Sequence, residues 1–118
     1  MSYDTNNVFA KILRKEIPCK SVYEDEAVLS FYDINPKAKI HVLVITKGAY
    51  QDFNDLITNG QPNEINGFLH GILATVQALN LQTDGYRIVM NTGKNSGQEV
   101  PHLHAHILGG QKLGCDQL

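Results

Sequence analysis

Residues 102–106 read His-Leu-His-Ala-His, ahead of Ile107-Leu108-Gly109-Gly110, so three of the chain's five histidines stand in one short stretch. Imidazole alternating with apolar residues fits a β-strand, whose side chains point to opposite faces with period 2. On that reading His102, His104 and His106 share one face, while Leu103, Ala105 and Ile107 pack into the core. Three rings on one wall can divide a reaction: one attacks, one handles a proton or an anionic oxygen, one orients a neighbour. A merely amphipathic strand gives no reason to prefer histidine over Thr, Lys or Glu.

Two chemistries compete for such a cluster. Zinc needs its nitrogens about 2.0–2.1 Å from one point, but alternate residues of a strand leave the backbone about 6.8 Å apart. The three rings of the run therefore do not converge on one ion, and a metal site would need His41 or Asp33 from elsewhere. No metal is expected. The other chemistry is nucleophilic attack by a neutral imidazole. Crowded rings disfavour each other's positive charge, and burial acts in the same direction. A neutral His104 with its Nδ1–H held by a backbone carbonyl presents a bare Nε2 to a phosphorus centre. Just upstream, residues 91–99 (Asn-Thr-Gly-Lys-Asn-Ser-Gly-Gln-Glu) supply glycine-permitted close approach and amide donors for a phosphate.

The elements that position these residues follow from periodicity and punctuation. Asn6-Asn7 precedes a short helix apolar at 8, 9, 12 and 13, which Pro18 terminates. Residues 21–24 and 27–32 read as strands around the acidic turn Asp25-Glu26, and 40–45 as a third strand too apolar for water on either face. A long helix is predicted between Pro62 and Asn80, with a stripe of Ile65, Phe68, Leu69, Ile72, Leu73, Val76 and Leu79; His70 falls off it. Asp84-Gly85 turns into a strand over 86–90, and the histidine run is the fifth strand. The fold class is α+β, a roughly five-stranded antiparallel sheet with one long and one short helix in a single domain over 1–118.

Composition narrows the partners. At 118 residues, 42% hydrophobic and 19% charged, the chain suits one globular domain. A formal charge of −2 with signs interspersed gives no basic stripe for nucleic acid. No apolar run nears the about 20 residues of a membrane span, and the opening residues lack the pattern of a signal peptide. Cys19 and Cys115, without a CxxC pair, fit thiols kept reduced in a cytoplasm.

The motif His102-Leu-His-Ala-His-Ile-Leu108 resembles the His-φ-His-φ-His-φ-φ signature of the histidine triad (HIT) superfamily, and more closely its nucleotide-binding (Hint) branch. Residues 9–18 (Phe-Ala-Lys-Ile-Leu-Arg-Lys-Glu-Ile-Pro), 31–36 (Phe-Tyr-Asp-Ile-Asn-Pro), 41–45, 87–91 and 97–100 are similar to the rest of that pattern, in the same order. The resemblance implies a purine nucleotide hydrolase, without cofactor, that forms a nucleotidyl-histidine on His104 and cleaves phosphoramidates. It also implies a homodimer. Under it, His102 orients His104 through its carbonyl, His41 buttresses His102, and His106 contacts phosphate oxygens. Asp33 takes the ribose hydroxyls; Phe9, Ile12, Ile17 and Ile34 wall the base; Asn91, Gly97 and Glu99 meet the phosphate and sugar. Dinucleoside polyphosphate hydrolysis and a nucleotide-binding adaptor use the same pocket and remain open.

Two positions depart from the pattern. Glu99 stands where many members carry a hydroxyl residue, and Pro101 removes an amide donor just before the triad. A carboxylate at 99 either turns away from phosphate or helps protonate an amine leaving group. The tail, eight residues past Gly110, is expected to make few substrate contacts.

Overall fold

The computed structural model describes residues 2–117. Helix α1 spans Val8–Leu13; the Asn7 side chain accepts the Ala10 amide at 2.9 Å and so caps it. It stops at Lys15, which takes a left-handed φ of 62°. Strands β1 (Ser21–Glu24) and β2 (Val28–Tyr32) form a hairpin whose turn is tied by Asp25, its carboxylate accepting the Ala27 and Val28 amides. Strand β3 (Ile40–Thr46) is buried along almost its whole length, as its apolar sequence requires.

Helix α2 (Phe53–Asn59) has no counterpart in the sequence reading. It buries only Leu56, and seven residues are too few to show a 3.6-residue stripe. Helix α3 (Pro62–Ala78) matches the long helix expected, with Pro62 in the first turn and Asn80 left-handed just past the end. Its buried face is displaced from the stripe drawn on the sequence. Phe68, Gly71, Ile72, Thr75 and Val76 are buried, whereas Leu69 and Leu73 are 56% and 39% exposed. Gly71 explains the displacement, because a Cβ there would lie 2.5 Å from the Val28 side chain. The helix axis thus approaches β2 over its small residues rather than over its leucines.

Strands β4 (Tyr86–Val89) and β5 (His104–Gly109) complete a five-stranded antiparallel sheet in the order β1-β2-β3-β5-β4. Helices α2 and α3 cover one face, packing Leu56, Phe68, Ile72 and Val76 against Val28, Val44, Ala105 and Ile107. On the other face α1 sets Phe9 and Ile12 against Leu29, Phe31, Leu43 and Ile45. That short helix leaves the β3–β5 half of its face open, and there the histidines lie. No helix among the described residues is long and apolar enough to cross a membrane, and Cys19 and Cys115 are both free and exposed.

Candidate active site

Register decides which rings meet. In the β3–β5 ladder His106 stands opposite Leu43 and His104 opposite Ile45. The period of 2 along both strands therefore puts His104 and His106 on the face that α1 only partly covers. The Phe9 ring from α1 meets His104 edge-on at 5.0 Å. A cavity of about 430 Å³ opens over these rings. Its floor is His41, Leu43, His104 and His106; Asp33, Asn35 and Lys37 of the β2–β3 turn form one side, and Asn91 with residues 96–100 the other.

His102 is not the third member of that wall. Strand β5 begins at His104. Pro101 has no amide for the ladder, and the chain turns so tightly that the His102 amide donates to the Val100 carbonyl at 2.8 Å. The His102 ring is fully buried and lies behind the cavity, edge-on to Phe9. Its carbonyl nevertheless serves the site, standing 2.7 Å from His104 Nδ1. A ring nitrogen facing a carbonyl must carry the proton, so neutral His104 has a bare Nε2. Burial pushes the His104 pKa below its ordinary value, against a smaller opposing pull from that carbonyl and from Asp33.

The same reasoning fixes the other rings. The Lys37 amide donates to His41 Nδ1 at 3.0 Å, so neutral His41 holds its proton on Nε2. That nitrogen lies 2.9 Å from His106 Nδ1 and 3.5 Å from Asp33 Oδ2. His106 Nδ1 is then the acceptor, and neutral His106 offers Nε2–H to the cavity. Burial pushes His106 down to about 4, with further lowering from His104 and His41, and it also lowers His41. His41 therefore supports His106, not His102 as the sequence reading has it; across the ladder it sits opposite Leu108.

Asp33, His41 and His106 bring ligand atoms within 4.8 Å of one another, a spacing that a metal ion can use. A zinc-binding imidazole coordinates through a lone pair and donates its other N–H to an acceptor. Here His41 Nδ1 meets a donor instead, and the proton that follows on Nε2 occupies the ligating position. The cluster reads as a hydrogen-bonded chain.

Of the four apolar residues expected to wall a base, only Phe9 lines the cavity. Ile12 and Ile17 belong to the packing beneath α1. Ile34 stands on the turn after β2 and is 92% exposed. Asp33 lines the cavity while one of its oxygens caps its own turn, accepting the Asn35 amide at 2.8 Å. Asn91, Gly97 and Glu99 all reach the cavity, Glu99 from an exposed position. Gly97 takes a φ of 81°, which a β-carbon would strain.

Sequence reasoning did not single out Asn35, Lys37, Leu43 or Val100, whereas Ser96 and Gln98 lie within the 91–99 loop it read as holding phosphate. Leu43 was within reach, being two residues from His41 on one strand. The bracing role of Gln98 was not: its amide nitrogen donates to the Gln51 and Val100 carbonyls while its oxygen accepts the Gly93 amide. One side chain thus ties the glycine loop to the segment before α2.

A HIT domain model matches residues 14–113. An uncharacterised HIT-like protein of Azospirillum brasilense is 49% identical over 113 residues, covering 96% of this chain and 93% of its own. The purine nucleoside phosphoramidase of Escherichia coli K12 is 39% identical over 108 residues, 91% of this chain and 89% of that protein. The crystal structure of a HIT family hydrolase from Legionella pneumophila superposes with a TM-score of 0.85 at 37% identity, over 95% of this chain and 99% of its own. With the matched domain spanning the sheet and the histidine run alike, the chain belongs to the HIT family.

Proposed function

We propose that the protein is a hydrolase of purine nucleoside phosphoramidates, working through a covalent nucleotidyl-histidine on His104. The observation that carries this reading is the 2.7 Å approach of His104 Nδ1 to the His102 carbonyl, which leaves Nε2 bare at the floor of a cavity. The phosphoramidase of Escherichia coli, similar over most of its length, supports the choice of bond. In the first step a bond forms from Nε2 to the α-phosphorus and the P–N bond breaks. The amine leaves with a proton from solvent or from Glu99. Water then attacks phosphorus, the P–Nε2 bond breaks, and the nucleoside monophosphate departs. As His104 becomes cationic in the intermediate, its Nδ1–H bond to the His102 carbonyl strengthens.

The remaining residues take roles suited to their places. His106 Nε2–H donates to a non-bridging phosphate oxygen. Asn91, Gly97 and Glu99 stand on the phosphate and sugar side. The free oxygen of Asp33 accepts ribose hydroxyls, and a purine lies between Phe9 and the exposed Ile34. Replacing His104 with Ala should abolish turnover of an adenosine phosphoramidate while AMP still binds. Undiminished turnover in that variant refutes the assignment.

A homodimer suits the edge of the sheet. Tyr86 and Ile88 on strand β4 are 39% and 44% exposed, and Leu69 and Leu73 add apolar surface on α3. Sedimentation at micromolar concentration should give twice 13.1 kDa; a monomer mass contradicts the pairing. Two exposed free thiols fit a reducing cytoplasm.

A further inference from the structure

The chain's N-terminal arm reaches the triad. The Tyr3 hydroxyl and His102 Nδ1 form a hydrogen bond, and the two rings meet edge-on with centroids 5.6 Å apart. His102 Nε2 stands 2.7 Å from the Thr46 carbonyl, so that nitrogen holds the proton and Nδ1 is an acceptor. Tyr3 must then be the donor. Its oxygen in turn accepts from the Asn7 side-chain amide at 2.9 Å, and the same Asn7 caps α1, the helix that carries Phe9 to the cavity.

We propose that Tyr3 is a positioning residue: by donating to His102 Nδ1 it locks the buried ring whose own carbonyl holds His104 Nδ1–H. The ring of His102 is held at three points. Thr46 fixes one nitrogen, Tyr3 the other, and Phe9 packs against the ring in an edge-on contact. Without Tyr3 the ring keeps one polar anchor and Nδ1 loses its donor in a fully buried site. The backbone at His102 is no part of a ladder, lying in the tight turn after Pro101. Backbone hydrogen bonds to Tyr50 and Thr46 hold Leu103 beside it, and the His102 side chain adds the two anchors that fix its own peptide. Tyr3 touches no reacting atom and is separated from the cavity by His102.

The role in turnover rests on the phosphoramidase reading; the ring geometry does not. The test uses wild type and Tyr3→Phe, both with ¹⁵N-labelled histidine rings. Loss of the hydroxyl should move the His102 Nδ1 resonance toward that of a free acceptor nitrogen. It should also speed solvent exchange of the His104 Nδ1 proton. With an adenosine phosphoramidate, kcat should fall about tenfold, the loss of one ordinary hydrogen bond, with KM little changed. An unmoved His102 resonance overturns the contact. A moved resonance with wild-type kcat and wild-type His104 exchange overturns the positioning role. Should wild type leave phosphoramidates intact, the reaction assignment falls, and His104 exchange alone decides for or against Tyr3.

Discussion

His41 Nε2 lies 2.9 Å from His106 Nδ1, and the Lys37 amide on the far side of the His41 ring decides which of the two carries the proton. The pair works as a directional switch set by backbone. Removing His41 leaves His106 Nδ1 free to take the proton, and Nε2 then turns from donor to acceptor toward the phosphate. His41→Ala should lower kcat at least tenfold, on the scale of one charge-directed hydrogen bond, and raise KM less. Steady-state kinetics on an adenosine phosphoramidate checks this. An unchanged kcat would mean that His106 is oriented by something other than His41.

Acid should loosen the fold before carboxylates protonate. Burial holds His102 and His106 down to about 4, against an ordinary value of 6.5. Between those values the unfolded chain binds more protons than the folded one, so stability falls as pH drops through that window. For His102, fully buried, the difference corresponds to about 3 kcal/mol at about 1.4 kcal/mol per pH unit. Glu16, Glu24, Asp25 and Glu64 have lowered values, so their contributions start to fade only as pH falls to the ordinary carboxylate values, 4.5 for Glu and 3.8 for Asp, well after the histidine loss has begun. Thermal melts at pH 7, 6, 5 and 4 should show falling midpoints, steepest below pH 6.5. A flat profile down to pH 5 contradicts the buried neutral rings.

Much of this was legible in the chain. Turns and apolar runs located the first four strands and alternation the fifth, and the triad rings His104 and His106 fell on the expected face because β5 keeps period 2. The reading failed where a side chain acts across the fold. His102 shares the spacing of the run but not the strand, since Pro101 ends the pairing that alternation assumes. Tyr3 meets His102 across 99 positions, and no local pattern encodes such a contact. Lys37 enters through its amide, which any residue but proline supplies. The α3 stripe was drawn from large apolar residues at helical spacing, whereas Gly71 set the face by letting the helix close on Val28.

Two isoleucines assigned to one wall should separate by experiment. Ile12 is buried beneath α1 beside Phe31 and Leu43, whereas Ile34 is 92% exposed. Ile12→Ala should cost about 2–4 kcal/mol in denaturant unfolding. Ile34→Ser should leave stability within about 0.5 kcal/mol. If a purine covers Ile34, the same change should weaken AMP binding about threefold to tenfold, the loss of a partly buried apolar contact. Equal AMP affinity in calorimetry would remove Ile34 from the base site.

Glu99 sets a charge against the ligand the cavity is proposed to hold. It lines the cavity with His104 and His106 yet stays exposed, so water and salt screen it. At a separation of about 8 Å in a water-like medium, one negative charge opposes another by about 0.5 kcal/mol. Glu99→Gln should therefore tighten AMP about twofold at low salt, and the gain should vanish near 0.5 M salt, where the Debye length is only a few Å. The effect on turnover separates the two roles open to the carboxylate. If Glu99 only faces solvent, kcat for an amine leaving group is unchanged. If it supplies the amine's proton, kcat falls at least tenfold, within the range of a lost general acid, and the loss shrinks for leaving groups of lower basicity. Weaker AMP binding in Glu99→Gln at low salt would contradict the electrostatic account, because it would make the carboxylate a partner of the nucleotide.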